Sequence, residues 1–419
     1  MKRVSSGTLK NGFRFYTQSD DRSHVSGVGV KVGSIHDPPG MRGICHLTEH
    51  IVGGYSREAE LKFEEYQCGP DEGVNVRTDH YSTFYGHDSL LKREFMFELF
   101  DIIAASIRDP QISQKALERE RAAVLNEYYL HGIDTMDDLA YVLMHQTMYE
   151  KNPARNRIDC EPEDLFRITM DDVRTFVRNY YVPNNMFAVV LGPKFHKAKG
   201  LAERWFGDLP ARSVPSLAYD LSDTRPRLTG VKMMETERKG IHQYHVAVGF
   251  PTNPMGNKDD EVLKVLLHIW RWRLCQALRI ENYEWGKGVY RAHTYISRSF
   301  AHGMVYAHFA TVSEDFARFG VEKIISVCDE LKTKWVLTDE LITMSNKLYH
   351  SYVDDFNNSP GKLAERIIDS ACNGDEEMQG LNSFIGRLSR VGKKSLLRVA
   401  NEYFTTPNFV GVLIKPAAG

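Results

Sequence analysis

The sequence predicts an α+β protein of two structurally similar α/β-roll domains, each a mixed antiparallel sheet with helices, related as an internal repeat. Three observations support this fold class. The chain has 419 residues, more than the roughly 250–300 at which a single core stops growing. Strand and helix patterns are mixed along the chain rather than segregated. Segments in the first half also have counterparts in the second half.

Two pairs of segments indicate the repeat. One pair is FVRNYYVPNNMFAVVLGP (176–193) and VANEYFTTPNFVGVLIKP (399–416). Each predicts a helix end with aromatic residues, a Pro-Asn turn and an apolar strand closed by proline. The other pair is GVGVKVGS (27–34) and YHVAVGFP (244–251). Their alternation of apolar with small or polar residues is typical of a half-buried strand.

Helical spacing and composition give the domain organisation. The helical patterns cover 58–68, 91–107, 114–130, 258–282, 313–334 and 338–354. The segment GDLPARSVPSLAYDLSDTRP (207–226) is rich in Pro, Ser and Asp, as a linker would be. We therefore expect a first domain at 1–206 and a second at 227–419, of about 200 residues each.

Composition excludes several classes of protein. Hydrophobic residues make up 42% and charged residues 26%, with a net charge of −2, which is typical of a soluble globular protein. No basic block indicates a nucleic-acid partner, and no run reaches the ~20 apolar residues of a transmembrane helix. The N-terminus resembles neither a signal nor a transit peptide. Six dispersed cysteines without a CxxC pair favour reduced thiols, so we expect a cytoplasmic location.

The stretch ICHLTEHIVGG (44–54) contains the strongest functional pattern. On a helix, His46 and His50 are four residues apart and share one face, with Glu49 beside them. Imidazole nitrogens suit zinc, and a catalytic zinc has three protein ligands and one open position. The order H-x-x-E-H is the inverse of the commoner H-E-x-x-H. The alternative is a surface helix with polar residues.

A third ligand would have to come from elsewhere in the chain. The stretch LERERAAVLNEYYL (117–130) places Glu120 and Glu127 seven residues apart, two helical turns, on one face. Val124 lies between them on that face. A solvated charged helix is the alternative, and the charges of ERER favour it.

Taken together, the two stretches resemble the pitrilysin family of zinc peptidases. That family has H-x-x-E-H followed about 75 residues later by a glutamate in an E-x(6)-E helix; here Glu127 follows His50 by 77 positions. Three longer segments also follow the family pattern. They are the segment from LKNGFRFYTQ to IVGG (9–54), GVNVRTDHYSTFYGH (73–87) and IRDPQISQKALERERAAVLNE (107–127). The resemblance covers nearly the whole chain and is stronger in the first half.

The resemblance implies a zinc-dependent endopeptidase that cleaves short or unfolded peptides in a closed chamber. His46, His50 and Glu127 would bind one Zn2+ per chain, and Glu49 would be the general base. Glu120 would join the catalytic set by orienting a ligand. The peptide substrate would add as a strand to a sheet edge, where Asn75 would contact it.

The second half departs from the family pattern. Many relatives have an Arg followed seven residues later by a Tyr, and both bind the substrate carbonyl. Here Arg279 matches, but Gly286 occupies the Tyr position, and only an insertion would make Tyr290 the equivalent. The chain is therefore expected to form a dimer, either a homodimer or a heterodimer with a zinc-free homologous subunit. The alternative function is a peptide-binding or structural subunit that is inactive alone.

Overall fold

The computed structural model describes residues 3–19, 25–54, 74–88, 93–130, 135–219, 221, 223–279, 289 and 291–417. Its strands are β1 Ser5–Thr8, β2 Arg14–Thr17, β3 Val25–Val30, β4 Val74–Thr78, β5 Thr83–Asp88, β6 Met186–Leu191, β7 Lys232–Arg238, β8 Tyr244–Pro251, β9 Ala292–Arg298, β10 Gly303–Thr311 and β11 Val410–Pro416. Its helices are α1 Ile44–Gly53, α2 Arg93–Arg108, α3 Gln114–Leu130, α4 Met136–Met148, α5 Pro162–Leu165, α6 Met170–Tyr180, α7 Phe195–Phe206, α8 Asp260–Arg279, α9 Glu314–Thr333, α10 Thr338–Asn358, α11 Pro360–Cys372, α12 Gln379–Leu388 and α13 Lys393–Tyr403.

Contacts divide the chain into two compact units, neither of which is continuous in sequence. The first unit consists of Met1–Gly132, Arg157–Ala218 and Tyr352–Asn382. The second unit consists of Ile133–Asn156, Tyr219–Ser351 and Ser383–Gly419. A segment from the first half of the sequence (133–156) thus belongs to the second unit, and a segment from the second half (352–382) belongs to the first unit. The contiguous boundaries 1–206 and 227–419 stay a prediction about the sequence halves.

Each unit contains one mixed sheet, and the two sheets repeat the same pairing. In the first unit the strand order is β1-β2-β6-β3-β5-β4, and in the second it is β7-β11-β8-β10-β9. The pair β2/β6 is parallel, as is β7/β11. The next three pairs in each sheet, starting at β6 and at β11, are antiparallel. The predicted α+β class and internal repeat are confirmed.

Strand β3 is more deeply buried than its alternating sequence predicts, since all six residues are buried. Helix α2 and helix α11 both pack against it. The small positions of the alternation are filled by aromatic rings from neighbouring strands. A Cβ on Gly27 would lie 2.4 Å from Cζ of Phe84, and a Cβ on Gly29 would lie 2.2 Å from Cζ of Phe187. The prediction of a half-buried strand is wrong here because the glycines accommodate these rings.

The second sheet has helices on both faces. Helix α4 packs on β11, β8 and β7, with Met304 and Tyr306 of β10 in the same apolar cluster. On the opposite face of β10, the ring of Phe309 fills the space beside Gly320 of α9. Successive strand residues alternate between faces, so these contacts separate α4 from α9. Met304 and Tyr306 of β10 therefore lie on the same face of the sheet as α4.

The predicted helices agree with the observed ones to within a few residues, where they can be compared. Those predicted at 91–107, 114–130, 258–282, 313–334 and 338–354 correspond to α2, α3, α8, α9 and α10. The helix predicted at 58–68 lies outside the described residues. Within the described ranges, no helix is both long enough and apolar enough to cross a bilayer.

The contact between Gly29 and Phe187 gives a stability prediction. Gly29→Ala adds a methyl group at a buried position where the ring already lies 2.2 Å away, so it is expected to destabilise the protein by about 1–3 kcal/mol through overpacking. Denaturant unfolding measures the loss. Gly200→Ala is the matched control, because that helical position has open space around it and alanine favours the helix. An unfolding midpoint that falls equally in both variants would contradict the packing argument.

Candidate functional site

The start of α1 is fixed by a buried carboxylate. Asp37 accepts hydrogen bonds from the backbone N–H groups of Gly43 (2.7 Å) and Cys45 (3.0 Å). Gly43 has φ 98°, and a Cβ there would lie 2.6 Å from Cβ of Cys160, so only glycine fits. Burial raises the pKa of Asp37 to about 7, although the two N–H groups oppose this. The turn therefore sets the direction in which α1 points its polar face.

Helix α1 brings the three motif side chains together. Nε2 of His46 lies 3.2 Å from Nε2 of His50 and 3.7 Å from Oε2 of Glu49. Glu49 is only 6% exposed. Its Oε2 accepts a hydrogen bond from the hydroxyl of Thr78 on β4 at 3.4 Å. A carboxylate this buried has few solvent partners, which distinguishes the arrangement from an ordinary surface helix.

Helix α3 supplies two carboxylates to the same place. The oxygens of Glu127 lie 3.4 Å from Nε2 of His46 and 3.3 Å from Nε2 of His50. One turn towards the start of α3, Val124 is fully buried, and α3 packs against α1. Glu120 reaches the other nitrogen of His50, with Oε2 3.3 Å from Nδ1. The side of α3 that carries these residues therefore faces α1, with the side chain of Glu127 still 41% exposed.

Hydrogen bonds on the far side of each imidazole orient the rings. Nδ1 of His46 lies 3.1 Å from the backbone carbonyl oxygen of Asp159, and Nδ1 of His50 lies 3.3 Å from Oε2 of Glu120. Both partners are acceptors, so each Nδ1 carries the proton in a neutral ring. The Nε2 atoms of both rings lie on the side of Glu127. Partners of this kind fix the tautomer of a metal-binding histidine.

The ionisation of the site reflects its charges. Burial disfavours a charge on His50, but hydrogen bonds to Glu120 and Glu127 outweigh it and raise its pKa to about 10. Hydrogen bonds to His46 and His50 lower the pKa of Glu127, and burial raises that of Glu49. Three carboxylates surround two imidazoles, so the site attracts cations. When no metal is bound, a proton on His50 supplies a positive charge next to these carboxylates.

The spacing of the donor atoms fits a tetrahedral zinc ion. Ligand atoms about 2.0–2.1 Å from a tetrahedral zinc are about 3.3–3.4 Å from one another. Nε2 of His46 and Nε2 of His50 are 3.2 Å apart. Oε2 of Glu127 lies 3.4 Å from Nε2 of His46, and Oε1 of the same carboxylate lies 3.3 Å from Nε2 of His50. Each of these distances is close to the ligand spacing around zinc, and two imidazoles with one carboxylate are a common catalytic zinc set.

The other predicted site residues are less completely described. Asn75 lies on β4, opposite Gly86 of β5, but its side chain lies outside the described part of the chain. Arg279 is the last residue of α8, and its side chain also lies outside it. Tyr290 falls outside the described residues altogether. Their roles stay predictions.

Three residues at the site are absent from the sequence predictions. Asp37 precedes α1 in HDPPG, a turn sequence upstream of a helix, so a carboxylate near a helix start was a usable signal. Thr78 reaches Glu49 only because β4 lies beside α1, which requires the tertiary fold. Asp159 contributes its backbone carbonyl, for which no side-chain pattern exists.

Comparison with known proteins agrees with this geometry. The sequence model of insulinase (peptidase family M16) matches residues 14–161, which contain all five of the clustered His and Glu residues. The model described as the peptidase M16 inactive domain matches residues 167–344. The chain belongs to peptidase family M16. The H-x-x-E-H motif lies in the segment matched by the first model, and the segment matched by the second model has no copy of it.

Relatives and solved structures extend the similarity. An uncharacterized zinc protease, YmxG, of Bacillus subtilis is 23% identical over 98% of each chain. The beta subunit of mitochondrial-processing peptidase of Neurospora crassa is 25% identical over 54% of this chain and 48% of that protein. A crystal structure of a protease from Helicobacter pylori superposes with a TM-score of 0.87, at 19% identity, over 99% of this chain and 100% of that one. The fold of this chain is thus also that of the Helicobacter pylori protease.

The raised pKa of His50 predicts a proton released on metal binding. A folded pKa of about 10 exceeds the ordinary 6.5, so at pH 7.5 the ring is protonated and must lose its proton to bind a metal. Zinc titrated into the metal-free protein should release about one proton from this ring. Calorimetry in buffers of different ionisation enthalpy measures it. Apparent zinc affinity should rise with pH and level off above pH 10.

Glu120→Gln tests the cause of this shift. The amide is a weaker acceptor than the carboxylate, so the pKa of His50 should fall and fewer protons should be released. Zinc affinity should drop by about 10–100-fold. Glu118→Gln is the matched control on the same helix, where the side chain is exposed and bonds to Gln114. Equal proton release from both variants would show that Glu120 does not control His50.

Proposed function

We propose that this chain is a zinc-dependent endopeptidase that cleaves short or unfolded peptides, with Glu49 as general base. The observation that carries the proposal is the convergence of the His46 and His50 Nε2 atoms and the Glu127 carboxylate within 3.4 Å of one another, with buried Glu49 beside them. Zinc proteases among the relatives support the same reaction class.

His46, His50 and Glu127 would hold the zinc, one ion per chain. When bound, the ion supplies Lewis acidity and a water acidic enough to react near neutral pH. Glu120 and the Asp159 carbonyl keep the two imidazoles turned towards it. The protein's contribution is a donor set that is already in place before the metal arrives.

Glu49 is suited to moving a proton. Burial raises its pKa, which brings the carboxyl closer to the operating pH that favours general acid–base catalysis. The hydroxyl of Thr78 holds Oε2. Glu49 would take a proton from water and later pass it to the nitrogen of the departing amine. Direct binding of Glu49 to the metal would fill the open position, so we place it next to the metal.

The peptide would lie along β4. This strand is the last in the order of the first sheet among the described residues, and Thr78 at its end contacts Glu49. An extended peptide can add to such an edge through main-chain hydrogen bonds. Asn75, on the same strand, would contact the peptide backbone. Arg279 and Tyr290 are proposed to bind the substrate carbonyl.

The chain is proposed to work as a dimer. One relative is named as the beta subunit of a processing peptidase, which favours a heterodimer with a zinc-free homologous subunit. Gly286 at the usual Tyr position points the same way, since a partner could supply the missing side chain. A homodimer that uses Tyr290 is the other arrangement. If neither forms an active site, the chain is a peptide-binding or structural subunit.

Glu49→Gln should separate catalysis from metal binding. The amide cannot accept a proton, so kcat/KM on an unstructured fluorogenic peptide should fall by about 10²–10⁴-fold, while zinc content stays at the wild-type level. Metal analysis and peptide cleavage are measured on the same sample. Glu118→Gln serves again as the control, with normal rates expected.

Two results would overturn these roles. Cleavage by Glu49→Gln at the wild-type rate would remove Glu49 from the mechanism. Stoichiometric zinc at this site in His50→Ala would contradict the ligand assignment. Absent or chelator-insensitive cleavage, by the chain alone and with any co-purified partner, would favour the binding role.

The mass of the native assembly tests the partner proposal. A heterodimer should contain one copy of this chain, one zinc-free chain of the same family and one zinc ion at the α1/α3 site. A homodimer should have twice the mass of the chain. A fully active monomer would contradict both arrangements.

A further inference from the structure

A second cluster of metal-ligating side chains lies in the second unit. Asp137, His245 and His308 each offer one ligand atom, and these atoms lie within 4.8 Å of one another. None of the three belongs to the H-x-x-E-H or E-x(6)-E patterns. Their positions in the sequence are far apart, so only the fold brings them together.

The register of the second sheet places the two histidines on one face. His308 of β10 pairs with Ala247 of β8, and His245 of β8 pairs with Ala310 of β10. Each histidine is thus two residues from the other's partner, a diagonal position on the same face. Their rings stack with centroids 5.5 Å apart and an angle of 14°.

Helix α4 adds the carboxylate. Asp137 is in the first turn of α4, the helix that packs on this face of the sheet. Its Oδ1 lies 2.9 Å from Nδ1 of His308. Its Oδ2 accepts a hydrogen bond from the hydroxyl of Tyr295 on β9 at 2.7 Å. The carboxylate is therefore held by one oxygen and presents the other to Nδ1 of His308, whose Nε2 lies 3.4 Å from Nδ1 of His245.

The buried Nδ1 atom of His308 has no hydrogen-bond partner. His308 is only 3% exposed, and its Nδ1 has no hydrogen-bond partner despite the short distance to Asp137. Buried polar atoms without a partner are rare and call for an explanation such as an ion. A cation beside Nδ1 and Oδ1 would satisfy both atoms.

We propose that Asp137, His245 and His308 form a second binding site for a divalent transition-metal ion. Two imidazoles and one carboxylate suit zinc, iron(II) or cobalt(II). The side chain of Asp137 is 44% exposed, which gives an ion access, and water would fill the remaining positions. The ion would join α4 to strands β8 and β10. This site is independent of the proposed peptidase activity.

Metal binding in a variant without the first site tests the proposal. His46→Ala/His50→Ala removes two ligands of the α1/α3 site, so zinc bound after dialysis reports the second cluster. One equivalent of Zn2+ per chain is expected, and Co2+ should give visible d–d absorbance. Adding Asp137→Asn should lower the affinity by at least about 100-fold, because it removes a direct ligand rather than an outer partner.

Two further variants test the ligand assignment: a control at an exposed histidine, and a residue that holds Asp137 without binding the metal. His242→Gln removes an exposed histidine three residues before His245 and should leave zinc binding unchanged. Tyr295→Phe frees Oδ2 of Asp137 and should weaken binding by about 10–100-fold. Tyr295 is thus a positioning residue, and the cobalt spectrum should shift without being lost.

Each outcome is decisive. No zinc in the His46→Ala/His50→Ala chain overturns the second site, whatever the fate of the first. Zinc that is lost in His242→Gln, or kept in Asp137→Asn, overturns the ligand set and shows an adventitious ion only. If wild type and His46→Ala/His50→Ala bind equal zinc, the first site fails while the second stands.

Discussion

The packing of α3 against α1 is the contact on which the rest of the site depends. Helix α1 alone gives two imidazoles and a buried carboxylate, which is one ligand short of a catalytic zinc set. Val124 and the apolar side of α3 bring Glu127 to within 3.4 Å of both histidines. Burial of apolar area drives this contact, and the charged groups follow from it. A structural core thereby determines the geometry of a polar site.

The same contact controls the electrostatics. Two helices that each carry acidic residues would repel if their charges met unpaired. Here the carboxylates of α3 meet the imidazoles of α1, and the raised pKa of His50 is the result. Asp37 acts indirectly, because it fixes the start of α1 by accepting hydrogen bonds from two backbone N–H groups. Orientation, charge and packing are therefore coupled in one small region.

Much of this region could be predicted from the sequence because its signals are local. His46, Glu49 and His50 share a helical face, and Glu120 and Glu127 share another; spacing gave these candidates, and the family resemblance assigned them to one site. The repeat was visible because β6 and β11 have similar sequences. Burial of β3 was not predicted, because the rings that cover Gly27 and Gly29 come from distant strands. The cluster of Asp137, His245 and His308 has no sequence pattern at all, since a sheet register creates it.

The exchange of segments between the units has a consequence for biosynthesis. Helix α11 packs against β3 and β6 of the first unit, yet it begins at Pro360, after 359 of the 419 residues. Most of the polypeptide must therefore leave the ribosome before α11 can pack on the sheet of the first unit. Until then the nascent chain exposes an apolar surface to which chaperones can bind. For the same reason, a gene fragment ending near residue 206 would encode an incomplete first unit.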